Sequence, residues 1–312
     1  MKITFLGNFG VSYSSENHHV KTLGSLGHEV VCLQEGKIDG NEIVRQALAS
    51  DLFVVVHTHG WVTPILPLAD VLRLLKGKVT TLTYHLDLWF GIERQKDLDT
   101  DDFYKLIDHF FCTDKLMADW FNDNTKVKGH FLPAGVYHEE CVMLQPQPVN
   151  YDVIFVGSKN YHKEWSYRPK LIDWLRQTYG SRFLHIGGDG DTGVVRGLAL
   201  NQIYANAKVA VGDTLCKNFN YPFYSSDRLW ESLGRGAFTI YPKIKGLNNY
   251  FEDKKEVIYY KFGDFNGLNE KIDYYIENNN EREKIRKAGF ERCKKEGTYL
   301  QRWITILDTI NG

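Results

Sequence analysis

Ile3-Thr4-Phe5-Leu6-Gly7-Asn8 opens the chain, and Val153-Ile154-Phe155-Val156-Gly157-Ser158 repeats its pattern near the midpoint. Each is a β-branched and aromatic run that ends in Gly and a small polar residue. A continuous apolar run of this length reads as a parallel strand buried on both faces, closed by a tight turn. Each run is followed by a helical stretch and a second strand. In the first half these are Asn17 to Leu26 and Gly27 to Leu33; in the second they are Trp165 to Tyr179 and Arg182 to Ile186, closed by Gly187-Gly188. Strand alternating with helix predicts βαβ units and a parallel sheet in each half.

Working outward, further strands are expected at Leu52–Val56, Val79–Tyr84 and Phe110–Cys112, and then at Val209–Val211, Ala237–Tyr241 and Val257–Tyr259. Helices are expected around Leu66–Leu75, Lys115–Phe121 and Ser226–Leu233, with polar helices closing the chain from Leu268 onward. Gln145-Pro146-Gln147-Pro148-Val149-Asn150 reads as a linker, because proline continues neither element. The expected organisation is a first domain over 1–144, a linker over 145–150, a second domain over 151–297 and a closing helix over 298–312 that can cross back to the first domain. The architecture is α/β: two Rossmann-like domains facing each other across a cleft, with ligands beyond the carboxyl ends of the strands.

A chain of 312 residues is long for one core and comfortable for two. Composition is that of an ordinary globular protein, with 43% hydrophobic and 25% charged residues. No apolar run approaches the length of a membrane span, and the N-terminus reads as a strand rather than a signal peptide. Five scattered cysteines with no C-x-x-C pair indicate neither a zinc site nor a disulfide framework, so a reducing, cytoplasmic setting is expected. Residues 1–140 carry 13 Lys+Arg against 19 Asp+Glu, a balance of −6, and the remainder balances at +5. The second half is the more plausible host for an anionic ligand.

Ser225-Ser226-Asp227-Arg228-Leu229-Trp230-Glu231-Ser232-Leu233-Gly234-Arg235-Gly236-Ala237-Phe238-Thr239-Ile240 is the segment richest in chemistry. A carboxylate such as Glu231 can accept two ribose hydroxyls at once. Ser226 and Arg228, one turn earlier at a helix start, form a natural diphosphate site. The bland alternatives are a carboxylate complementing the helix dipole and a surface arginine. Gly157, Ser158 and Lys159 offer backbone N–H groups and a charge at a strand-to-helix turn, and Arg168 on the next helix can reach the same place. Gly187-Gly188 is either a second ligand turn or a plain flexible one.

The 225–240 segment resembles the donor-binding segment of group 1 GT-B glycosyltransferases, in the branch related to spore-maturation glycosyltransferases. Leu26-Gly27-His28-Glu29-Val30, Phe131-Leu132-Pro133-Ala134-Gly135-Val136, Gly246-Leu247, Tyr259-Tyr260 and Gly297-Thr298-Tyr299-Leu300-Gln301-Arg302 extend the resemblance over nearly the whole chain. It implies a GT-B fold and transfer of a sugar from a nucleotide-sugar co-substrate, UDP-sugar favoured, to an acceptor hydroxyl, with no further cofactor. Glu231 would hold the donor ribose and Gly188 the region of the nucleobase. Many retaining members carry a second glutamate eight positions before the residue matching Glu231. Phe223 stands there, which leaves the donor sugar and the stereochemistry open.

On the acceptor side, His57-Thr58-His59-Gly60-Trp61 and His85-Leu86-Asp87 follow expected strands, and Glu16, His18 and His19 open the first helix. His85 and Asp87 match the place where related enzymes contact sugar or acceptor, and they are the expected catalytic pair, with histidine suited to proton transfer near neutrality. His57, His59, Trp61, Glu16, His18 and His19 are the expected acceptor-side residues. The H-x-H and H-x-D spacing permits a metal site on one strand face, but no metal is expected. The acceptor is a glycan, a small molecule, or hydroxymethylated pyrimidine in bacteriophage DNA, since the opening segment Gly7–His19 resembles those of some phage-encoded glycosyltransferases. In that case the setting is the host cytoplasm. A nucleotide-sugar epimerase and a non-catalytic nucleotide-sugar-binding protein are the alternatives of other classes.

Overall fold

Period-two and continuous apolar runs fold into two separate parallel sheets. The structure, a computed structural model, describes residues 1–56, 65–148, 151–161, 163–215 and 221–312. It divides into two compact units: Met1–Pro133 with Tyr299–Gly312, and Ala134–Thr298.

The first unit holds β1 (Lys2–Gly7), β2 (Glu29–Gln34), β3 (Leu52–Val55), β4 (Thr80–His85), β5 (His109–Cys112) and β6 (Lys128–Phe131). They form a parallel sheet in the order β2-β1-β3-β4-β5-β6. Its helices are α1 (Ser15–Ser25), α2 (Gly40–Leu48), α3 (Leu68–Leu75), the short α4 (Asp97–Thr100) and α5 (Phe103–Leu106), and α6 (Lys115–Asn124). Leu6, Phe53, Val55, Phe110 and Cys112 pack on the apolar stripe of α3 and on Phe103, Tyr104 and Phe121 in one buried cluster. Side-chain caps start three of the helices: Ser14 accepts from Asn17 N, Asp39 from Asn41 N, and Asp114 from Leu116 N and Met117 N.

The second unit holds β7 (Tyr151–Val156), β8 (Phe183–Ile186), β9 (Ala207–Val211), β10 (Thr239–Pro242) and β11 (Ile258–Tyr260), in the order β11-β10-β9-β7-β8. Its helices are α7 (Tyr167–Tyr179), α8 (Gly197–Ala205), α9 (Asp227–Gly234), α10 (Phe265–Glu277) and α11 (Asn279–Glu296). Val153, Phe155, Val209, Val211 and Ile240 bury one sheet face against Leu171, Ile172 and Leu175 of α7 and Leu268 and Ile272 of α10.

The expected first domain ended at 144, whereas residues 134–144 pack with the second unit. Polar contacts explain this: Asn201 Nδ2 donates to the carbonyls of Glu140 and Val142, both at 2.8 Å, and the buried Arg235 pairs with Glu140.

The last helix, α12 (Tyr299–Asn311), belongs to the first unit. Trp303 is fully buried, and its Nε1 donates to Nδ1 of His19 on α1 at 3.0 Å. The His19 ring also lies 4.4 Å from the Tyr299 ring and 5.5 Å from that of Tyr84. Trp303→Phe keeps most of the volume but leaves the buried His19 nitrogen without its donor. It is expected to destabilise the first unit by about 1–2 kcal/mol, measured by chemical denaturation. His19 is held down to about 3, chiefly by burial and then by His18. The unfolded chain therefore takes up the proton first, and the first unit loses stability as pH falls below 6.5 toward 3.

Candidate active site

In the second sheet the chain reverses its direction of progress between β7 and β9. Loops leaving those two strands diverge to opposite sides, and the crevice at such a switch point is where open α/β sheets bind ligands. Gly157-Ser158 leaves β7 and Gly212-Asp213 leaves β9. Asp213 is fully buried and organises the crevice: Trp165 Nε1 donates to its Oδ2 at 2.7 Å and Arg168 Nε to its Oδ1 at 2.9 Å. Arg228, in the first turn of α9, lies 3.6 Å from the same Oδ1. Its Nε donates to the Val156 carbonyl at 2.5 Å, and its guanidinium stands 5.7 Å over the Phe155 ring.

Arg168 Nη1 donates to the Ser158 carbonyl at 3.1 Å, which ties the turn to the arginine pair. Gly157 is required there. Its φ is +137°, and a Cβ would meet Arg228 Nη2 at 2.6 Å. Two cations thus share one carboxylate, and burial followed by the Arg228 charge pulls the Arg168 guanidinium below its usual value. Nη2 of Arg228 takes no partner among the described residues.

α9 begins beside this pair. Ser226 is its N-cap residue, yet Ser226 Oγ caps no α9 amide; it lies 3.3 Å from the Asp213 carbonyl and 3.2 Å from the Tyr241 hydroxyl. A helix start with no side-chain cap, next to two guanidiniums, has the chemistry to hold an anion. Glu231 sits in the second turn of α9 rather than at its start, with about a third of its side chain exposed (31%). Burial raises its carboxyl above the usual range, and Arg235 at 3.8 Å opposes that shift.

The remaining donor-side residues divide. A Cβ at Gly188 would lie 3.7 Å from Ser158 Oγ, so the two expected ligand turns adjoin. The Lys159 backbone N–H donates to Asp189 at 2.8 Å, while its ammonium is paired with Asp173 on α7. Phe223 stands where a second glutamate was the family pattern. It is in the left-handed region, φ 66°, with its ring against Gly246. Asp213 was missed in the sequence, although it follows the Val209–Val211 strand directly.

The first unit presents a different set at its carboxyl strand ends. Glu16 is nearly buried, and a Cβ at Gly7 would meet its Cγ at 2.8 Å. Glu35, immediately after β2, donates its N–H to the Gly7 carbonyl at 3.0 Å, and its Oε2 is buried with no hydrogen-bond partner among the described residues. Burial, then the Glu16 charge, pushes the Glu35 carboxyl up from 4.5 to about 7. Asp87 is about a third exposed (31%) and accepts from Arg94 at 3.1 Å. His18 is half-buried on α1.

Two of the expected residues are packed inside the first unit. His85 is fully buried, with Trp89 edge-on at 4.4 Å and Phe110 stacked at 5.9 Å. His19 is likewise a core residue, holding α12. His57, His59 and Trp61 lie outside the described residues. Among the described residues no group of three or more His, Cys, Asp or Glu is placed to hold a metal ion.

A glycosyl transferase-like family model matches residues 168–308, a span that begins at Arg168 and contains Arg228 and Glu231. Solved structures resemble the chain over its length. An α-glucosyltransferase in complex with UDP-glucose and DNA containing an abasic site superimposes with a TM-score of 0.73 at 10% identity, covering 100% of both chains. An Anabaena protein, HepE, in complex with UDP and glucose gives 0.69 at 12% identity over 99% of each chain. Sucrose-phosphate synthase from Thermosynechococcus elongatus gives 0.64 at 11% identity over 99% of each chain. The chain has the GT-B fold, and its residues 168–308 match the glycosyl transferase-like family. No curated protein matches it. No described helix of this GT-B chain is long and apolar enough to cross a membrane.

Proposed function

We infer that the protein is a nucleotide-sugar-dependent glycosyltransferase that binds the donor diphosphate at Arg168, Arg228 and the start of α9. The observation that carries this reading is the arginine pair at the switch point of the second sheet, inside the span of the family match. In the reaction the bond between the anomeric carbon and the phosphate oxygen breaks, a bond to the acceptor oxygen forms, and the acceptor proton leaves to a base. Charge grows on the leaving diphosphate, where guanidiniums and helix N–H groups stabilise it without a metal. Glu231 takes the ribose hydroxyls, Ser158 and Gly188 flank the nucleotide, and UDP is the favoured nucleotide. The spore-maturation branch and a cytoplasmic setting are part of this reading.

Arg228→Ala is expected to weaken UDP binding by about 10–100-fold, the range for hydrogen bonds to a charged group. Uridine should be held almost unchanged. Calorimetric titration of both ligands checks this, and equal losses would remove Arg228 from the diphosphate. Thermal stability against a panel of nucleotide sugars identifies the donor, because a ligand at one hundred times its Kd adds about 2.7 kcal/mol. Activity that survives excess chelator is the expected result for a metal-free mechanism.

A second, finer reading concerns the acceptor. The likeness to the α-glucosyltransferase in complex with UDP and DNA containing a HMU base, over nearly the whole of both chains, favours DNA with hydroxymethylated pyrimidine, and a phage origin goes with it. UDP release from UDP-glucose that requires such DNA, and not unmodified DNA or glycans, is the result this reading demands.

A further inference from the structure

At the amino ends of β4, β5 and β6, the end of the first sheet opposite Glu16, Glu35 and Asp87, lies a cavity of about 400 Å³. That volume is in the range of small-molecule sites, about 300–1,000 Å³. Two strand starts supply its charge: Lys78 precedes β4, Lys126 precedes β6 and Lys128 opens it. The one carboxylate in the lining, Asp108, is already committed. Its Oδ1 pairs with Lys76, and its Oδ2 accepts from the Thr81 N–H at 3.0 Å and hydroxyl at 2.8 Å. Among the described residues none of Lys78, Lys126 and Lys128 has a carboxylate within ion-pair distance, so the cavity carries three uncompensated ammonium groups.

The wall of the cavity includes His109, whose Nδ1 lies 3.1 Å from Nε2 of His130 in a nearly parallel stack. Both imidazoles are kept neutral. Burial, then His130 and Lys128, hold His109 down to about 4, and burial followed by Lys128 lowers His130. A neutral imidazole pair beside uncompensated lysines can donate one N–H to an oxyanion.

The geometry points to a second ligand site here, for a compact, multiply charged phosphate such as a pyrophosphate or phosphate monoester. Three lysines bordering one concave cavity suit such an anion better than a phosphodiester strand, which wants its cations in a row. The site is independent of the donor crevice, because its residues belong to the other compact unit.

The test is an NMR titration of the His109 and His130 imidazole resonances with inorganic pyrophosphate, on the full chain. Saturable shifts are expected, with the imidazole pKa values rising as the anion binds. Lys126→Ala/Lys128→Ala should weaken that binding at least tenfold and leave glycosyl transfer unchanged. Lys78→Ala is the second variant, should the first unfold. Arg228→Ala, which empties the donor crevice, should retain the shifts. Shifts that track ionic strength without saturating, or that persist unchanged in both lysine variants, would overturn the site. Tighter competition by a single-stranded oligonucleotide than by pyrophosphate at equal phosphate would overturn the choice of ligand.

Discussion

Asp213→Asn is expected to destabilise the second unit by about 3–5 kcal/mol, the usual penalty for removing one partner of a buried ion pair. The side chain keeps its shape, so the loss is one of charge. Asp213 is fully buried and is the carboxylate closest to both Arg168 and Arg228, at 2.9 Å and 3.6 Å. Without it two guanidiniums repel one another in a site that already depresses Arg168. The consequence separates structure from function. An added anion supplies the missing charge, so UDP or pyrophosphate should raise the denaturation midpoint of Asp213→Asn by more than it raises that of the parent. A variant as stable as the parent would show that the crevice is not held by this charge. A variant that is destabilised but gains nothing from UDP would place the diphosphate away from the arginine pair.

How much of this was legible depends on how far apart the interacting residues lie in the chain. β1 and β7 declare themselves because a strand buried on both faces must be continuously apolar, and Gly7 and Gly157 mark their ends. β6 does not: Lys128-Gly129-His130-Phe131 is an edge strand with an exposed lysine, and nothing in its periodicity distinguishes it from a loop. α2 was also passed over, although Asp39 supplies a legible cap.

Sites are harder than elements. The place of Arg228 at a helix start could be read, because that depends on neighbours in the chain. Asp213 acquires its role from Trp165 and Arg168, 48 and 45 residues away. His85 shows the opposite case. Its position at a strand end suggested an open site, but exposure is decided by Trp89 and Phe110, which close over the ring from neighbouring segments. Glu35 was invisible because its perturbation comes from burial and then from Glu16, a residue on another element.

With the His85 ring buried, Glu35 is a further candidate for the acceptor base, and Glu35→Gln is expected to lower turnover by at least about a hundredfold, within the range for loss of general acid–base catalysis. A base works best when its pKa lies near the working pH, and Glu35 sits at about 7 because its carboxylate is desolvated beside Glu16. UDP affinity should change little, since the arginine pair belongs to the other unit. The parent's pH–rate profile should rise through an apparent pKa near 7, and that limb should vanish in Glu35→Gln.

Stability supplies a second readout with a fixed sign. The folded pKa is raised above 4.5, so Glu35 contributes most when protonated, and its contribution is lost as pH climbs from 4.5 through about 7. The stability of Glu35→Gln relative to the parent should therefore grow between pH 5 and pH 8. That growth with normal turnover would confirm the buried carboxyl and move the base to Asp87, where Asp87→Asn should then show the hundredfold loss. If both variants turn over normally, the leaving diphosphate itself takes the acceptor proton, and a product with retained configuration should accompany that result.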